Sequence, residues 1–320
     1  MATYFSTERM NLMEAYRREN YSGYESLLGD FVQTNDFLRT AVVLPSNHGA
    51  EHRTLMAKTL GEGSVRAANA AIKRMASKTE TKSEPLISYE GDSEVDQLIL
   101  ASAPDPAAAR MSEDALNLTG FSNGFNRVLV YGEKKTAEGF DGLQARRNKL
   151  SQKYVYDMGG SSNLCSAYLC EFGENALALR YLPGSVPGID SRDMGLQKVT
   201  VDSEGGYFWA WVNHYSINFG LSQRLEQNLQ RICNIDVTSI DAKTLLKTII
   251  KAKNSLLYRG RNAFLYVNSD VKTAIETAML DLVQAQLKIV DIEGYGPVQM
   301  FAQIPIMQMD ALTSDETKVS

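Results

Sequence analysis

The sequence predicts an α+β fold, and three observations carry the prediction. Apolar, aromatic and β-branched residues gather in short runs of strand character at Tyr207–Phe219, Phe264–Val267 and Gln299–Met309. Apolar residues recur at helical spacing within 92–131 and 241–258. The two kinds of segment follow one another without regular β-α-β alternation, which sets the chain apart from the parallel α/β folds. At 320 residues the chain can bury a large core, as one long domain or as two.

Residues 1–46 read as an N-terminal arm. Met10, Met13, Tyr16 and Arg17 make one short helical stripe, and Leu27, Leu28, Phe31 and Val32 another, with Gly23 and Gly29 interrupting them. Composition leaves two readings open, an arm on its own surface or on a neighbouring chain. Residues 47–84 have few large apolar residues and dense charge. Seven basic residues, among them Arg66, Lys73 and Arg74, stand against four acidic ones, a net +3 in a chain whose total is −5. Such a segment buries too little apolar surface to fold alone. Two strands around a turn at Gly61-Glu62-Gly63 make it a long projecting hairpin; a disordered linker is the other reading.

Within residues 85–131, the stretch 92–131 reads as helix. Asp92 or Ser93 caps the start, with Glu94 and Asp96 near the positive end of the helix dipole. Pro104-Asp105-Pro106 breaks the pattern, and Asp105 caps a second helix with Pro106 at its first position. Met111, Ala115, Leu118, Ser122 and Phe125 share one face of it, and Arg127–Tyr131 then reads as a strand. Within residues 132–195, the stretch 132–163 is turn-rich and carries the cluster Arg146-Arg147-Lys149, either a solvated loop or an inter-subunit salt-bridge site. A hairpin is expected there, Leu164–Phe172 against Ala176–Leu182 around Gly173–Asn175.

Residues 196–235 hold another hairpin, across Ser203–Gly206. Tyr207, Trp209 and Trp211 fall on one side of its second strand, and Phe208, Ala210 and Val212 on the other, so both faces should be covered. Residues 236–312 supply a helix over 241–258 capped by Asp241, the strand Phe264–Val267, and a helix from Ser269 or Asp270 through Ile275, Met279 and Leu282. Strands at Leu287–Ile292 and Gln299–Met309 close this part, and residues 313–320 are a tail.

Chemistry-bearing motifs are sparse. A net charge of −5 does not suit a nucleic-acid binder as a whole. No apolar run is long enough for a membrane helix, and the charged N-terminus does not suit a signal peptide. Cys165, Cys170 and Cys233 lack metal-site spacing and read as free thiols; the first two, five apart on a strand, face opposite sides. His48-Gly49-Ala50-Glu51-His52 matches H-x-x-E-H, in which two histidines one helical turn apart hold zinc and the glutamate acts as base. Pro45, Asn47 and Gly49 disfavour the helix that this chemistry needs, so loop histidines are the competing reading. His214, inside the aromatic strand, reads as a hydrogen-bonded structural residue.

The order of the phrases SEVD, MSEDALN, GFNRVLVYG, GFDGL, ALRYLPGSVPGI, GYFWAWVNHYSINFGLSQ, RICNID and IPIMQMDAL resembles the major capsid protein of short-tailed, podovirus-like bacteriophages. That family is similar in turn to the Hong Kong 97-type capsid fold. The likeness runs from about His48 to Leu312, with the motifs in the family's order. It implies an arm (1–46), an extended loop lying over the next subunit (47–84), a peripheral domain with a long spine helix (85–131 and 196–235) and an axial domain (236–312), leaving 132–195 unassigned. It implies a structural protein, not an enzyme, that self-assembles into hexamers and pentamers of an icosahedral phage head around double-stranded DNA. Scaffolding, portal and decoration proteins are the partners it suggests, with no cofactor, no metal and no membrane. The protein would reside in the virion, and in the host cytoplasm during assembly. Candidate inter-subunit contacts are Arg66, Lys73, Arg74, Arg146 and Arg147. The competing functions are a metal-dependent hydrolase using His48, Glu51 and His52, and a ring-forming tail or connector protein.

Overall fold

The computed structural model describes residues 37–133, 139–185, 188–200, 206–256, 258, 260–281, 287–292 and 296–320. The helical stripes expected within residues 1–36, the turn at 203–205 and Leu282 lie outside the described residues.

A short helix α1 (Phe37–Thr40) leads into β1 (Val43–Pro45), then β2 (Glu51–Thr59), β3 (Lys78–Pro85) and β4 (Ile87–Asp96). Helices α2 (Gln97–Ser102), α3 (Pro106–Tyr131) and α4 (Leu143–Arg146) follow. Next come β5 (Val155–Asp157), β6 (Leu164–Glu171), β7 (Leu177–Tyr181), β8 (Asp190–Thr200), β9 (Tyr207–Gln223) and β10 (Leu229–Asp236). The chain ends with α5 (Ala242–Asn254), β11 (Ala263–Val267), α6 (Ser269–Asp281), β12 (Leu287–Ile292), β13 (Gly296–Phe301) and β14 (Ile304–Gln308).

These strands form two sheets and a separate ribbon. In the first sheet the long β9 pairs antiparallel with β4 along one edge and with β8 and β7 along the other, and β1 adds to β7 in parallel. The second sheet runs β12-β13-β14-β11-β6-β10-β5. The ribbon is β2 with β3 alone.

The two faces of β6 explain the layering. Tyr168 and Cys170 point into a core shared with α3, β9 and β14, where Phe125, Leu129, Phe219 and Met307 meet. Cys165, Ala167 and Leu169 point the other way, into a core closed by α5 and α6 through Leu245, Leu246, Ile249, Val271 and Ile275. A strand apolar on both faces therefore lies between two cores, as its continuous apolar run requires. Cys165 and Cys170 do fall on opposite faces.

Several elements differ from the sequence expectation. Asp92 and Ser93 lie in β4, and it is Asp96 that caps the first helix, accepting from Leu98 N at 2.8 Å. Asp105 caps α3 as expected, accepting from Ala107 N and Ala108 N at 3.1 Å each. Helix α3 then runs on through Arg127–Tyr131. Its buried stripe is Phe121, Phe125 and Leu129 with Glu113 above them, at i, i+4 spacing, whereas Met111 and Leu118 are exposed. Gly132 ends the helix at φ 79°, donating to Val128 O at 2.7 Å. A Cβ there would sit 2.5 Å from Phe140 O, so only glycine fits.

The expected hairpin around Gly173–Asn175 does not form. Strands β6 and β7 belong to different sheets, and that turn carries the chain from one layer to the other. The run Gln299–Met309 is two strands, split where Ala302 and Gln303 both take left-handed φ, at 49° and 69°. The hairpin of β8 and β9 is present, from Asp190↔Ser216 to Thr200↔Tyr207. Its far end is not covered on both faces: Tyr207 and Trp209 are about half exposed. Residues 313–320 are no free tail. Glu316 bonds through its backbone to Leu164 O at 2.9 Å, and Val319 N donates to Asn234 Oδ1 at 2.9 Å.

Candidate subunit-contact surface

The ribbon projects because nothing in its own composition holds it down. Its nine-residue first strand spans about 30 Å, and it pairs with β3 from Glu51↔Pro85 to Thr59↔Lys78. Gly61–Gly63 is not the turn. The chain reverses at Ala67–Ala70, where Ala70 N donates to Ala67 O at 3.2 Å and Asn69 takes φ 65°. Gly61 serves instead as a neck: a Cβ on it would lie 2.9 Å from Met75 Cβ, and its N–H donates to Ser77 Oγ at 3.1 Å. Leu60, Val65, Ile72 and Met75 are exposed around the tip, from 64% to 104%. Arg66 precedes the reversal, Lys73 and Arg74 follow it, and all three are exposed. The tip is therefore an exposed surface of mixed apolar and basic character.

The root of the ribbon is tied down by one buried carboxylate. Glu84 Oε1 accepts from Lys82 Nζ at 2.8 Å and from Arg146 Nη1, and Oε2 accepts from Gln223 N at 2.9 Å. Arg146 also donates to Leu221 O at 2.8 Å and Asp141 O at 2.9 Å. Arg147 is 4% exposed; it donates from Nε to Leu229 O at 2.8 Å and from Nη2 to Glu226 O. Burial lowers its pKa from the usual arginine value, with the Glu226 carboxylate opposing that shift. The solvated-loop reading is replaced for the two arginines, though Lys149 is exposed: Arg146 braces the ribbon root and Arg147 the joint between the sheets.

The H-x-x-E-H residues do not converge. His48 lies in the turn before the ribbon, and its Nε2 is 3.7 Å from Glu51 Oε1. Glu51 is occupied by Arg53 and by Ser83, whose hydrogen bond is the main cause of its lowered pKa. His52, next in the strand, points to the opposite face and is 8% exposed. It is not a loop histidine, and it does not share a face with His48. Among the described residues no cluster of three His, Cys, Asp or Glu side chains is placed to hold a metal. Burial pushes the Cys165 thiol up to about 12 and the Cys233 thiol up to about 11, which keeps both protonated at neutral pH. His214 Nδ1 meets Asp92 Oδ1 at 2.6 Å across the β4–β9 pair, as a structural histidine does.

A second exposed surface lies at the far end of the first sheet. A groove of about 580 Å³ runs between α2, the start of α3 and β8–β9, walled by Leu100, Met111 and Trp211 and edged by Asp114 and Asp193. Arg110 crosses it, bonded to Asp193 at 2.6 Å, with its guanidinium 5.1 Å from the Trp211 ring centroid. Sequence reasoning missed this groove because its walls come from positions about a hundred residues apart.

The described residues thus form two layered cores with an exposed ribbon beside them. Comparison with known proteins supplies the family. The family profile for the major capsid protein GP7 matches residues 28–320, and the chain belongs to that family. The structure of bacteriophage Epsilon15 superposes with a TM-score of 0.73 at 23% identity, covering 100% of this chain and 99% of that one. The bacteriophage JBD30 capsid follows at a TM-score of 0.49 and 11% identity, covering 97% of this chain and 99% of its own. The structure titled Mycobacterium phage Adephagia reaches 0.45 at 8% identity, covering 68% of this chain and 92% of its own. Likenesses as distant as the last two carry no weight here. No curated protein matches the chain. The fold is the Hong Kong 97-like capsid fold that the resemblance implied, and the role is structural, not enzymatic. Neither the hydrolase nor the tail and connector reading finds support in these matches.

Proposed function

We propose that this chain builds hexamers and pentamers of an icosahedral phage head that encloses double-stranded DNA. The observation that carries the reading is the ribbon, with its exposed apolar tip and the basic residues Arg66, Lys73 and Arg74. In the shell this tip lies on the next subunit, and the groove walled by Leu100, Met111 and Trp211 offers a complement to its exposed apolar residues, the carboxylates Asp114 and Asp193 at its edge being paired with Arg110. Arg146 supports the contact from within its own subunit by fixing the ribbon root, and Arg147 braces the neighbouring joint between the sheets. The long helix α3 takes the place of the spine helix in a peripheral domain, and α5 and α6 belong to the axial domain. A scaffolding protein, a portal and a decoration protein are the further partners. DNA is enclosed without sequence specificity, and a net charge of −5 suits a shell that contains it without gripping it. Assembly takes place in the host cytoplasm and the mature protein resides in the virion.

Trypsin mapping tests the reading. In the free subunit, cleavage is expected first at Arg66, Lys73 and Arg74, since weakly packed exposed segments open at little cost. In the assembled shell the same sites become protected. Equal cleavage in both states would show that the tip contacts no neighbour.

A further inference from the structure

We propose that His52 is an acid-sensitive latch at the root of the extended ribbon, holding the stem against the body when the ring is neutral and releasing it when the ring is protonated. This concerns the single subunit and does not rest on the assembly reading.

The geometry carries the proposal. His52 is 8% exposed although it belongs to a ribbon that is otherwise largely exposed. It stands directly opposite Glu84 in the β2–β3 register, so the two side chains share the face turned to the body. Its Nδ1 is buried and has no hydrogen-bond partner. Whichever nitrogen carries the proton at neutral pH, a charged ring must place two N–H donors, and the Nδ1 side offers no acceptor.

The charged groups around the ring do not rescue it. Glu84 is the nearby carboxylate, but it already accepts from Lys82, Arg146 and the Gln223 backbone. Arg180, from β7, contributes a positive charge, and its own donors go to Ser222 Oγ at 2.8 Å and Pro45 O at 3.3 Å. Glu174 acts on Arg180, and Glu51 and Arg53 pair with each other on the opposite face of β2. Burial first, and then Arg180, lower the His52 pKa below the ordinary 6.5, with Glu84 opposing them. The sign follows. A depressed folded-state value means that the stem is fully held above about pH 6.5 and is released as pH falls through the lowered value. Opening the stem would also expose Glu84, so release is cooperative within this root.

Hydrogen exchange on the full-length chain tests the latch. Amides of 51–59 and 78–85 are followed from about pH 7.5 to about pH 5.5, with 164–171 as an internal reference and intrinsic rates corrected. The stem should exchange up to about tenfold faster for each unit by which pH falls between about 6.5, the value of the opened ring, and the lowered folded value, and level off below it, while the reference does not change. In His52→Gln the acid response should disappear. An unchanged wild-type stem, or an equal acid response in the variant, overturns the proposal. Should the variant fail to fold, the wild type alone decides. The chain has only three histidines, and ring-carbon NMR resolves their titrations. One must titrate well below the others and coincide with stem opening; three ordinary titrations refute the latch.

Discussion

Glu316→Ala is expected to destabilise the subunit by about 3–5 kcal/mol, because it leaves a buried arginine without its counter-charge. The Glu316 side chain is 2% exposed and that of Arg231 1%, with Arg231 Nη2 donating to Glu316 Oε2 at 2.7 Å. Ser166 Oγ donates to the same oxygen, and Tyr131 OH donates to Oε1 at 3.3 Å. Arg231 spends its remaining donors on Ser166 Oγ and Arg147 O, both at 2.9 Å. Removing the carboxylate therefore strands a cation inside the second sheet. The cost is a large share of the roughly 5–15 kcal/mol that holds a typical domain together. Urea unfolding followed by circular dichroism measures it. Glu316→Gln should recover part of the loss, since its one amide oxygen can still accept from Arg231 and Ser166 at the Oε2 position, although its NH2 cannot accept from Tyr131. A change below about 1 kcal/mol for the alanine variant would mean that the segment 313–320 does not hold Arg231 as described.

The second large effect falls on assembly and spares the fold. Reversing Arg66, Lys73 and Arg74 to glutamate turns a +3 ribbon into a −3 one. All three side chains are exposed at the tip, so each change should cost the subunit no more than about 0.5 kcal/mol. A shell repeats the same contact at every subunit, so a modest loss per contact multiplies over the particle. The variant is expected to melt like the wild type and to form no shells at concentrations where the wild type does. Raising ionic strength should weaken wild-type assembly in the same direction, because exposed charge pairs are screened. Shells of normal yield from the variant would remove the electrostatic part of the contact.

Particular residues show where the sequence was legible. Asp105-Pro106 announced the start of α3 because capping is a local matter. Phe264–Val267 announced a strand buried on both sides because a continuous apolar run admits few other solutions. Arg127–Tyr131 misled for the opposite reason. Its β-branched residues favour a strand locally, but Phe121, Phe125 and Leu129 pack the helix against β4 and β9, and tertiary packing overrides propensity. Tyr207 and Trp209 look like core residues, and nothing local reveals that the sheet extends past the layer that covers it. Arg146, Arg147 and Glu316 were illegible as braces because their partners lie about 60 to 150 positions away in sequence. The ribbon was legible as a hairpin from its lack of core, but its reversal was not. Gly61 is the more conspicuous turn former, yet its missing side chain is used for close packing against Met75.

The central claim is that this subunit closes into a shell through contacts centred on the ribbon tip. Electron microscopy of the purified protein, assembled with its scaffolding partner where one is needed, tests it most directly. The account predicts closed icosahedral particles of hexamers and pentamers in which each tip, residues 60–77, rests on the groove walled by Leu100, Met111 and Trp211 of an adjacent subunit. Particles in which the tip projects into solvent, or rings and monomers under every condition, would contradict it.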